Sequence, residues 1–395
     1  MFRPFMRPLA ASVLLAAWAG TAHAGPMDSV TIDGYFSLEY EKNVAGDEFN
    51  RTGKDMGDLN GSFDTDGLDL VINAQLDPRV RLSTDITFEH GAATEDGQGN
   101  VAVEYAFAEY TAADWLRVRA GKMFIHFGIY NDHHTAKPAF LSVKEPYSVG
   151  RTDKMGDDLR FYPRWGSGLG LLGDFRLAGM DAEYAVQITN GDIYTFDDAN
   201  GGLPDANPYE DDLNESKAVN GRLRLWPTED LRLGLSFYTD DAGSFGAYCS
   251  AVLAPDCPAV TAPMTGSYET TSLGLEMEWA LGGGNTLQAE FVQGNSAFTD
   301  DAGAGDFDND RTGWYLMWSR PVSEHVTGYL RYEDFDPSDV ATNDLMHIGV
   351  AGINWQVGKG AHLKLELDHY NSENANPELK GGAYTELKAA FALGF

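Results

Sequence analysis

Apolar and polar residues alternate one by one along many short segments of this chain. Residues 231–237 read Leu-Arg-Leu-Gly-Leu-Ser-Phe, and residues 363–368 read Leu-Lys-Leu-Glu-Leu-Asp. Successive side chains of a β-strand point to opposite faces, so such segments form strands with one apolar and one polar face. The pattern therefore predicts a protein built from β-strands.

Sixteen segments show this alternation, or an enrichment in aromatic and β-branched residues, between turn residues. They are 30–42, 65–77, 79–90, 100–112, 114–124, 167–178, 180–190, 216–226, 230–240, 268–281, 285–295, 312–320, 325–334, 344–357, 360–371 and 383–395. The faces of 100–112 and 344–357 cannot be assigned, because their alternation is weak.

Short turns and long connections alternate strictly between these strands. The long connections are 43–64, 91–99, 125–166, 191–215, 241–267, 296–311, 335–343 and 372–382. Outer-membrane barrels have an even strand number, short turns at one end and long loops at the other. A soluble β-sandwich is the alternative, but it would need a second sheet over each apolar face and would not explain the alternating lengths. We expect an all-β chain that forms one closed, antiparallel, up-and-down transmembrane barrel of 16 strands.

The last predicted strand, 383–395, supports closure of the barrel. Apolar or small residues occupy every second position back from Leu393, and Glu386 and Lys388 lie between them. We expect this strand to pair with 30–42, with Glu386 and Lys388 pointing into the lumen.

The N-terminal residues predict export. Arg3 and Arg7 precede the apolar run Leu9–Trp18, and Ala22-His23-Ala24 is a small-x-small cleavage site. A membrane anchor is the alternative, but a spanning helix needs about 20 apolar residues. We expect residues 1–24 to be a cleaved signal peptide and 25–395 a single barrel in the outer membrane of a Gram-negative cell, in contact with its lipids and lipopolysaccharide.

Charge and cysteine content exclude several classes of partner. The net charge of −32 would repel the phosphates of nucleic acid. Cys249 and Cys257 lie in one predicted loop, where they form either a disulfide or two free thiols. No third and fourth ligand accompany them, so no metal site is predicted there. No cofactor is expected.

The longest connection, 125–166, is the candidate pore constriction, because wall side chains alone cannot fill a lumen of 16 strands. Its histidines and basic residues are His126, His133, His134, Lys137, Lys144, Arg151, Lys154, Arg160 and Arg164. These charges either favour small anions at the narrow point or pair with one another and with wall carboxylates. A metal site is disfavoured, because adjacent histidines on an extended segment point to opposite faces.

Arginines next to the predicted short turns form a second candidate group on the pore wall. They are Arg79, Arg81, Arg117, Arg119, Arg222, Arg224 and Arg232. Acids such as Glu39 and Asp85 lie further from the turns, which predicts a lumen that is positive at its inner end and negative at its outer mouth. The guanidinium donors suit oxyanions. A structural network with wall carboxylates is the alternative.

Two segments resemble bacterial outer-membrane porins related to the phosphate-selective group. Residues 119–131, Arg-Ala-Gly-Lys-Met-Phe-Ile-His-Phe-Gly-Ile-Tyr-Asn, are similar to the run that opens the third loop of these porins. Residues 185–192 resemble the strand-to-loop segment that follows there. The resemblance implies a homotrimer of 16-stranded pores, each with its third loop folded inward. His126 departs from the pattern, since these relatives often have proline there.

Pattern and resemblance together predict a porin for passive diffusion of small hydrophilic solutes, with a preference for anions such as phosphate as the narrower version. A barrel enzyme of the lipase type is an alternative of another class, but no serine stands in a recognisable nucleophile setting. A structural or adhesin barrel with a plugged lumen is a third.

Overall fold

The computed structural model describes residues 29–46, 60–89, 100–133, 136–150, 161–191, 216–246, 264–300, 307–339, 345–373 and 382–395. Several predicted features lie outside the described residues: the signal peptide 1–24, His134, Arg151, Lys154, Arg160, Cys249 and Cys257. Within the described ranges, no helix has the length and apolar character needed to cross a membrane.

Sixteen antiparallel strands form one closed barrel, as predicted, and each pairs with its neighbours in the chain. They are β1 (Val30–Gly46), β2 (Ser62–Asp77), β3 (Val80–Glu89), β4 (Asn100–Ala113), β5 (Leu116–Phe124), β6 (Trp165–Leu177), β7 (Met180–Thr189), β8 (Ala218–Thr228), β9 (Leu231–Gly246), β10 (Met264–Gly282), β11 (Asn285–Asp300), β12 (Phe307–Pro321), β13 (Val326–Asp336), β14 (Met346–Gly358), β15 (Ala361–Ser372) and β16 (Gly382–Gly394).

The barrel closes between β1 and β16, as predicted. Leu38 stands opposite Phe391 in this pair. Gly34 and Phe395 exchange two backbone hydrogen bonds of 3.0 Å each, so pairing extends to the last residue. The ring of Phe395 occupies the space that a Cβ atom at position 34 would need, which explains glycine there.

The outer face of the barrel is apolar and its inner face is largely polar. Leu233, Leu235 and Phe237 of β9 are exposed, whereas Ser236 between them is buried. The leucines of β15 are exposed in the same way, and Lys364, Glu366 and Asp368 are buried. In a barrel of this size, the buried side chains of the strands are those that point into the lumen, where other side chains cover them. The predicted faces are therefore confirmed for these strands.

A β-bulge explains why the faces of β4 could not be assigned. Asp85 pairs with Tyr105 and the adjacent Ile86 with Val103, so Glu104 is the extra residue of the bulge. Val101 and Val103 face outward before the bulge, and Tyr110 faces outward after it. The extra residue moves the outward positions from odd to even numbers.

The inner face of β14 explains why the faces of the strand predicted at 344–357 could not be assigned. Met346, Ile348 and Val350 are buried on the inner side, while Ile353 and Trp355 are exposed on the outer side. Both faces therefore carry apolar side chains, and a period of two cannot be seen in the sequence.

Strands β9 to β12 extend further from the short turns than predicted, so two of the long connections need correction. The connection expected at 241–267 begins after Gly246 and ends before Met264. The connection expected at 296–311 begins after Asp300 and ends before Phe307. Asn295 donates hydrogen bonds to Asp308 (2.5 Å) and Asp310 (2.8 Å) across this extension. Polar side chains on both faces remove the alternation on which the prediction depended. The candidate constriction loop also ends earlier, at Arg164, because β6 begins at Trp165.

Candidate functional site

The described residues of the connection after β5, namely 125–133, 136–150 and 161–164, pack against the inner face of the wall. They include two short 3-10 helices, Asn131–His133 and Lys137–Ala139. Nine of their apolar and aromatic side chains belong to one buried cluster with inward-facing wall residues. The loop members are Ile125, Phe127, Ile129, Tyr130, Phe140, Tyr147, Val149, Phe161 and Tyr162, and among the wall members are Tyr238, Tyr315, Tyr329 and Tyr370.

Inward-facing glycines provide the space in which the loop lies against the wall. A Cβ atom on Gly274 of β10 would lie 2.6 Å from the ring of Phe127. One on Gly313 of β12 would lie 1.6 Å from the carbonyl oxygen of Ser148. The second contact is with backbone, so no side-chain rotation relieves it. These strand positions therefore need glycine for the loop to take this path.

Three wall carboxylates accept hydrogen bonds from the loop backbone. The N–H of Ile129 donates to Glu290 at 2.7 Å, and that of Val143 donates to Glu366 at 3.0 Å. The N–H of Ser148 donates to Glu333, also at 3.0 Å. Irregular backbone inside a protein needs such partners, because a buried N–H without one is costly. The wall carboxylates thus take the place of the hydrogen bonds that these N–H groups would make to a neighbouring strand in a sheet.

Wall donors satisfy loop carbonyls in the same way. The Lys364 ammonium donates to the carbonyls of Lys137 (2.6 Å) and Ser142 (3.0 Å). The Asn354 amide donates to the carbonyl of Leu141 at 3.1 Å. Strands β14 and β15 therefore hold the middle of the loop through its main chain.

Lys388 of β16 is the centre of a fully buried ionic cluster. Its ammonium lies 2.8 Å from Asp368 and 3.5 Å from Glu386, and it donates to the hydroxyls of Tyr147 (3.1 Å) and Tyr370 (2.9 Å). Tyr147 belongs to the loop, so this cluster joins loop, β15 and β16. The inward direction expected for Glu386 and Lys388 agrees with their burial.

The described basic residues of the loop are paired with carboxylates. Lys137 lies 3.6 Å from Glu39 of β1, and Lys144 contacts the same carboxylate. Arg164 donates to Glu145 of the loop at 2.8 Å. Of the two alternatives raised by the sequence, pairing is what the structure provides for these three.

The predicted wall arginines of β8 hold the start of the loop. Arg222 pairs with Asp132 of the loop at 2.5 Å, and Arg224 pairs with Glu276 of β10 at 2.5 Å. Each of the two guanidiniums also donates a 3.0 Å hydrogen bond to the carbonyl of Gly128.

Arg232 has a partner on the neighbouring strand. It is the second residue of β9 and pairs with Glu278 of β10 at 2.5 Å. This contact links two wall strands and is part of the same network of arginines and carboxylates.

Arginines of β3 and β5 form a separate group. Glu109 of β4 lies between Arg81 (2.9 Å) and Arg119 (2.5 Å), and Arg117 pairs with Asp174 at 3.1 Å. The side chains of Arg81 and Arg117 keep 32% and 29% of their surface exposed, more than the arginines of β8 and β9. These two side chains therefore keep the most contact with solvent of the six inward-facing wall arginines.

Arg79 stands apart from the other six predicted wall arginines. It is exposed in the turn before β3, and its guanidinium contacts the Tyr110 hydroxyl at 3.5 Å. Tyr110 is on the exposed face of β4. The structure thus directs Arg79 to the outer face and not to the lumen.

His126 and His133 are both in the first part of the loop. Nδ1 of His126 lies 2.8 Å from Asp132, and the ring of His133 packs beside those of Tyr130 and Phe140. Burial lowers the pKa of both histidines below their ordinary value. Burial alone would raise the pKa of Asp132, but Arg222 and then His126 hold it well below its usual range. Within the described residues, no three potential ligands come together as a metal site.

Sequence reasoning missed the tyrosines on the inner face of the wall. Tyr315 lies beside Tyr130 of the loop, with ring centroids 6.3 Å apart. Tyr329 donates to Glu366 at 2.5 Å, and Tyr130 donates to Gln288 at 2.7 Å. The signal was present, because Tyr315 and Tyr329 occupy the polar positions of alternating strands.

By sequence, this chain resembles known proteins only over part of its length. No family model matches it. An uncharacterized protein of Aquifex aeolicus (strain VF5) is 28% identical over 166 residues. The alignment covers 41% of this chain and 32% of that protein, so the chain matches about a third of its relative's length.

Solved structures resemble the whole barrel. The anion-selective porin from Comamonas acidovorans has a TM-score of 0.59 at 13% identity, with 93% of this chain and 99% of that chain covered. The outer membrane channel DcaP of Acinetobacter baumannii has a TM-score of 0.58 at 11% identity, covering 93% and 97%. OmpT, an outer membrane protein of Vibrio cholerae in trimer form, has a TM-score of 0.55 at 11% identity, covering 93% and 100%. At such identities the likeness concerns the fold alone: this chain has the fold of outer-membrane porins.

Proposed function

We propose that this chain forms a water-filled channel in the outer membrane, through which small hydrophilic solutes diffuse passively. One observation supports the proposal above all: a closed barrel with an apolar outer face holds a long loop against its polar inner wall. An apolar band of this kind matches the hydrocarbon layer. A loop inside the barrel narrows the route, and the charges at a narrow point decide what passes.

The proposed channel runs between the loop and one arc of the wall. Polar contacts of the described loop residues join the loop to β7 to β11, to β13 to β16 and to β1, from Gln187 of β7 to Glu39 of β1. The arc β2 to β6 carries Arg81, Arg117 and Arg119. We propose that a solute passes along this arc, with the predicted constriction residues of 125–164 on its other side.

We propose that the inner end of this route prefers small anions, phosphate and other oxyanions among them. Arg81, Arg117 and Arg119 share Glu109 and Asp174 as partners, so this group of five has one excess positive charge. Guanidinium donors fit the geometry of oxyanions. The buried acids Asp69 and Asp85 lie further from the turns on the same arc, which supports the predicted axial gradient.

The reversal potential across a planar bilayer in a salt gradient tests both proposals. We expect stepwise conductance and an anion-selective potential for the wild type. The double variant Arg81→Gln/Arg117→Gln should shift the potential toward cation preference, because it removes the two most exposed of the six inward-facing wall arginines. Arg79→Gln removes one positive charge on the outer face and should leave the potential unchanged.

Two outcomes would overturn the proposals separately. A cation-selective wild type whose potential is the same in the double variant would exclude anion preference at these arginines. Absence of stepwise conductance in correctly folded protein would exclude the channel.

We also propose that the channel is a homotrimer exported with a cleaved signal peptide. The trimer form of OmpT, which has the same fold, supports the first part. Cross-linking in detergent tests the trimer. N-terminal sequencing of the membrane protein tests cleavage after Ala24.

A further inference from the structure

The start of the loop is held to β8 by a small network around Asp132. One carboxylate oxygen of Asp132 lies 2.8 Å from Nδ1 of His126, and the other lies 2.5 Å from the Arg222 guanidinium. Arg222 and Arg224 both donate to the carbonyl of Gly128. The Asp132 carboxylate thus connects two parts of the loop, 126 and 132, to the same wall strand.

The second ring nitrogen of His126 has a different environment. Nε2 is buried and has no hydrogen-bond partner among the described residues. The neutral ring leaves no buried N–H without an acceptor when Nδ1–H donates to Asp132, since Nε2 then carries no proton. Protonation at Nε2 would create a buried N–H donor without an acceptor, which is costly.

The charges that face His126 come from four elements. Asp132 of the loop attracts a protonated ring, and so does Glu183 of β7. Arg222 of β8 and Arg119 of β5 repel it. Glu183 is itself 3.5 Å from Arg222, so part of its charge is already balanced.

From this geometry we propose that His126, Asp132 and Arg222 form an acid-sensitive latch, which holds the start of the loop on β8 near neutral pH and releases it when His126 is protonated. For its effect on conductance the latch depends on the proposed channel, but release of the loop can be measured without any current.

The direction of the pH dependence follows from linkage. Burial keeps the pKa of His126 in the held loop below the ordinary value of 6.5, to which a ring released into water returns. The released form therefore binds more protons than the held form below that pH. Acid shifts the equilibrium toward release by about tenfold per pH unit, until the pKa of the held form is reached.

Hydroxyl-radical footprinting of the full-length folded barrel tests release directly. Phe127 and Tyr130 of the loop are buried, with exposed fractions of 0% and 8%, so they should be protected at neutral pH. We expect their oxidation in the wild type to rise about tenfold between about pH 7.5 and about pH 5. Channel closures or noise in single-channel traces should change over the same range.

His126→Asn is the decisive variant. Its amide nitrogen stands where Nδ1 stands and can donate to Asp132, but it cannot become charged. We expect Phe127 and Tyr130 to stay protected at acid pH in this variant. His133→Asn removes the other buried histidine of the loop, whose pKa burial also lowers, and so measures that contribution separately. The response should fall less than in His126→Asn, because among the described residues no hydrogen bond joins the His133 ring to Asp132 or Arg222. The remaining titratable groups of the barrel are common to the wild type and both variants, so only the difference between these proteins reports on His126.

The possible outcomes separate the latch from the channel. Equal acid-induced oxidation in the wild type and in His126→Asn would overturn the latch, even if the protein conducts. Loss of the response in His133→Asn but not in His126→Asn would also overturn it. A wild type without conductance, but with acid-induced oxidation that His126→Asn abolishes, would support the latch and contradict the channel.

Discussion

Replacing Lys388 by methionine should lower the free energy of unfolding by about 3–5 kcal/mol. The ammonium and the Asp368 carboxylate are both 0% exposed and lie 2.8 Å apart. Removal of the cation leaves Asp368 and the nearby Glu386 as uncompensated buried charges, which is the costly way to break an ion pair. The measurement is denaturant unfolding in detergent micelles, followed by tryptophan fluorescence.

An exposed ion pair of the same barrel provides the control for Lys388→Met. Arg176 and Asp181 lie 3.1 Å apart, with 69% and 71% of their side chains exposed. Arg176→Met should therefore change stability by less than about 1 kcal/mol. The double variant Lys388→Met/Asp368→Asn should recover part of the loss, because it removes one of the stranded charges. A loss for Lys388→Met as small as that for Arg176→Met would contradict the buried cluster.

Gly313→Val should detach the loop from the wall and raise the single-channel conductance by about twofold or more, because the narrow point sets the conductance. The new Cβ atom would lie 1.6 Å from the Ser148 carbonyl oxygen, so the loop backbone has to move. The hydrogen bond from Ser148 to Glu333 is then lost as well. Planar-bilayer recording gives the conductance, and liposome swelling gives the size limit for neutral sugars.

Gly349→Val is the matched control. It places the same side chain in β14 of the same barrel, but nothing lies within 4 Å of the Cβ position. Its conductance and size limit should equal those of the wild type. The same values in Gly313→Val as in Gly349→Val would show that the contact at Ser148 does not hold the loop.

The barrel could be predicted from the sequence because one physical cause acts on every strand. An apolar outer face, which the proposed membrane channel would turn toward lipid, and a polar inner face impose a period of two, which is visible in segments such as 231–237 and 363–368. The period disappears where this cause is absent. It is interrupted by the extra residue at Glu104 in β4, and it is masked in β14, where Met346 and Ile348 pack under the loop.

The partners inside the barrel could not be predicted, because they depend on which strands face the loop across the lumen. The basic residues of 125–164 were identified from their type alone. Lys144 pairs with Glu39 because of the path that the loop takes. That path follows from the glycines and carboxylates of strands that are distant in the chain. Among the arginines near the turns, Arg79 lies in the turn before β3, where the alternation of faces no longer fixes its direction, and its guanidinium contacts Tyr110 on the outer face.

The attachment of the loop to late strands has a consequence for the order of folding. Val143 and Glu366 are 223 residues apart in the chain, and Tyr147 and Lys388 are 241 apart. Contacts of such long separation form slowly, because chain entropy is lost before they are made. During folding the loop therefore cannot make these wall contacts until β13 to β16 have joined the barrel. We expect refolding to show a closed barrel first, and protection of the loop backbone in a later kinetic phase.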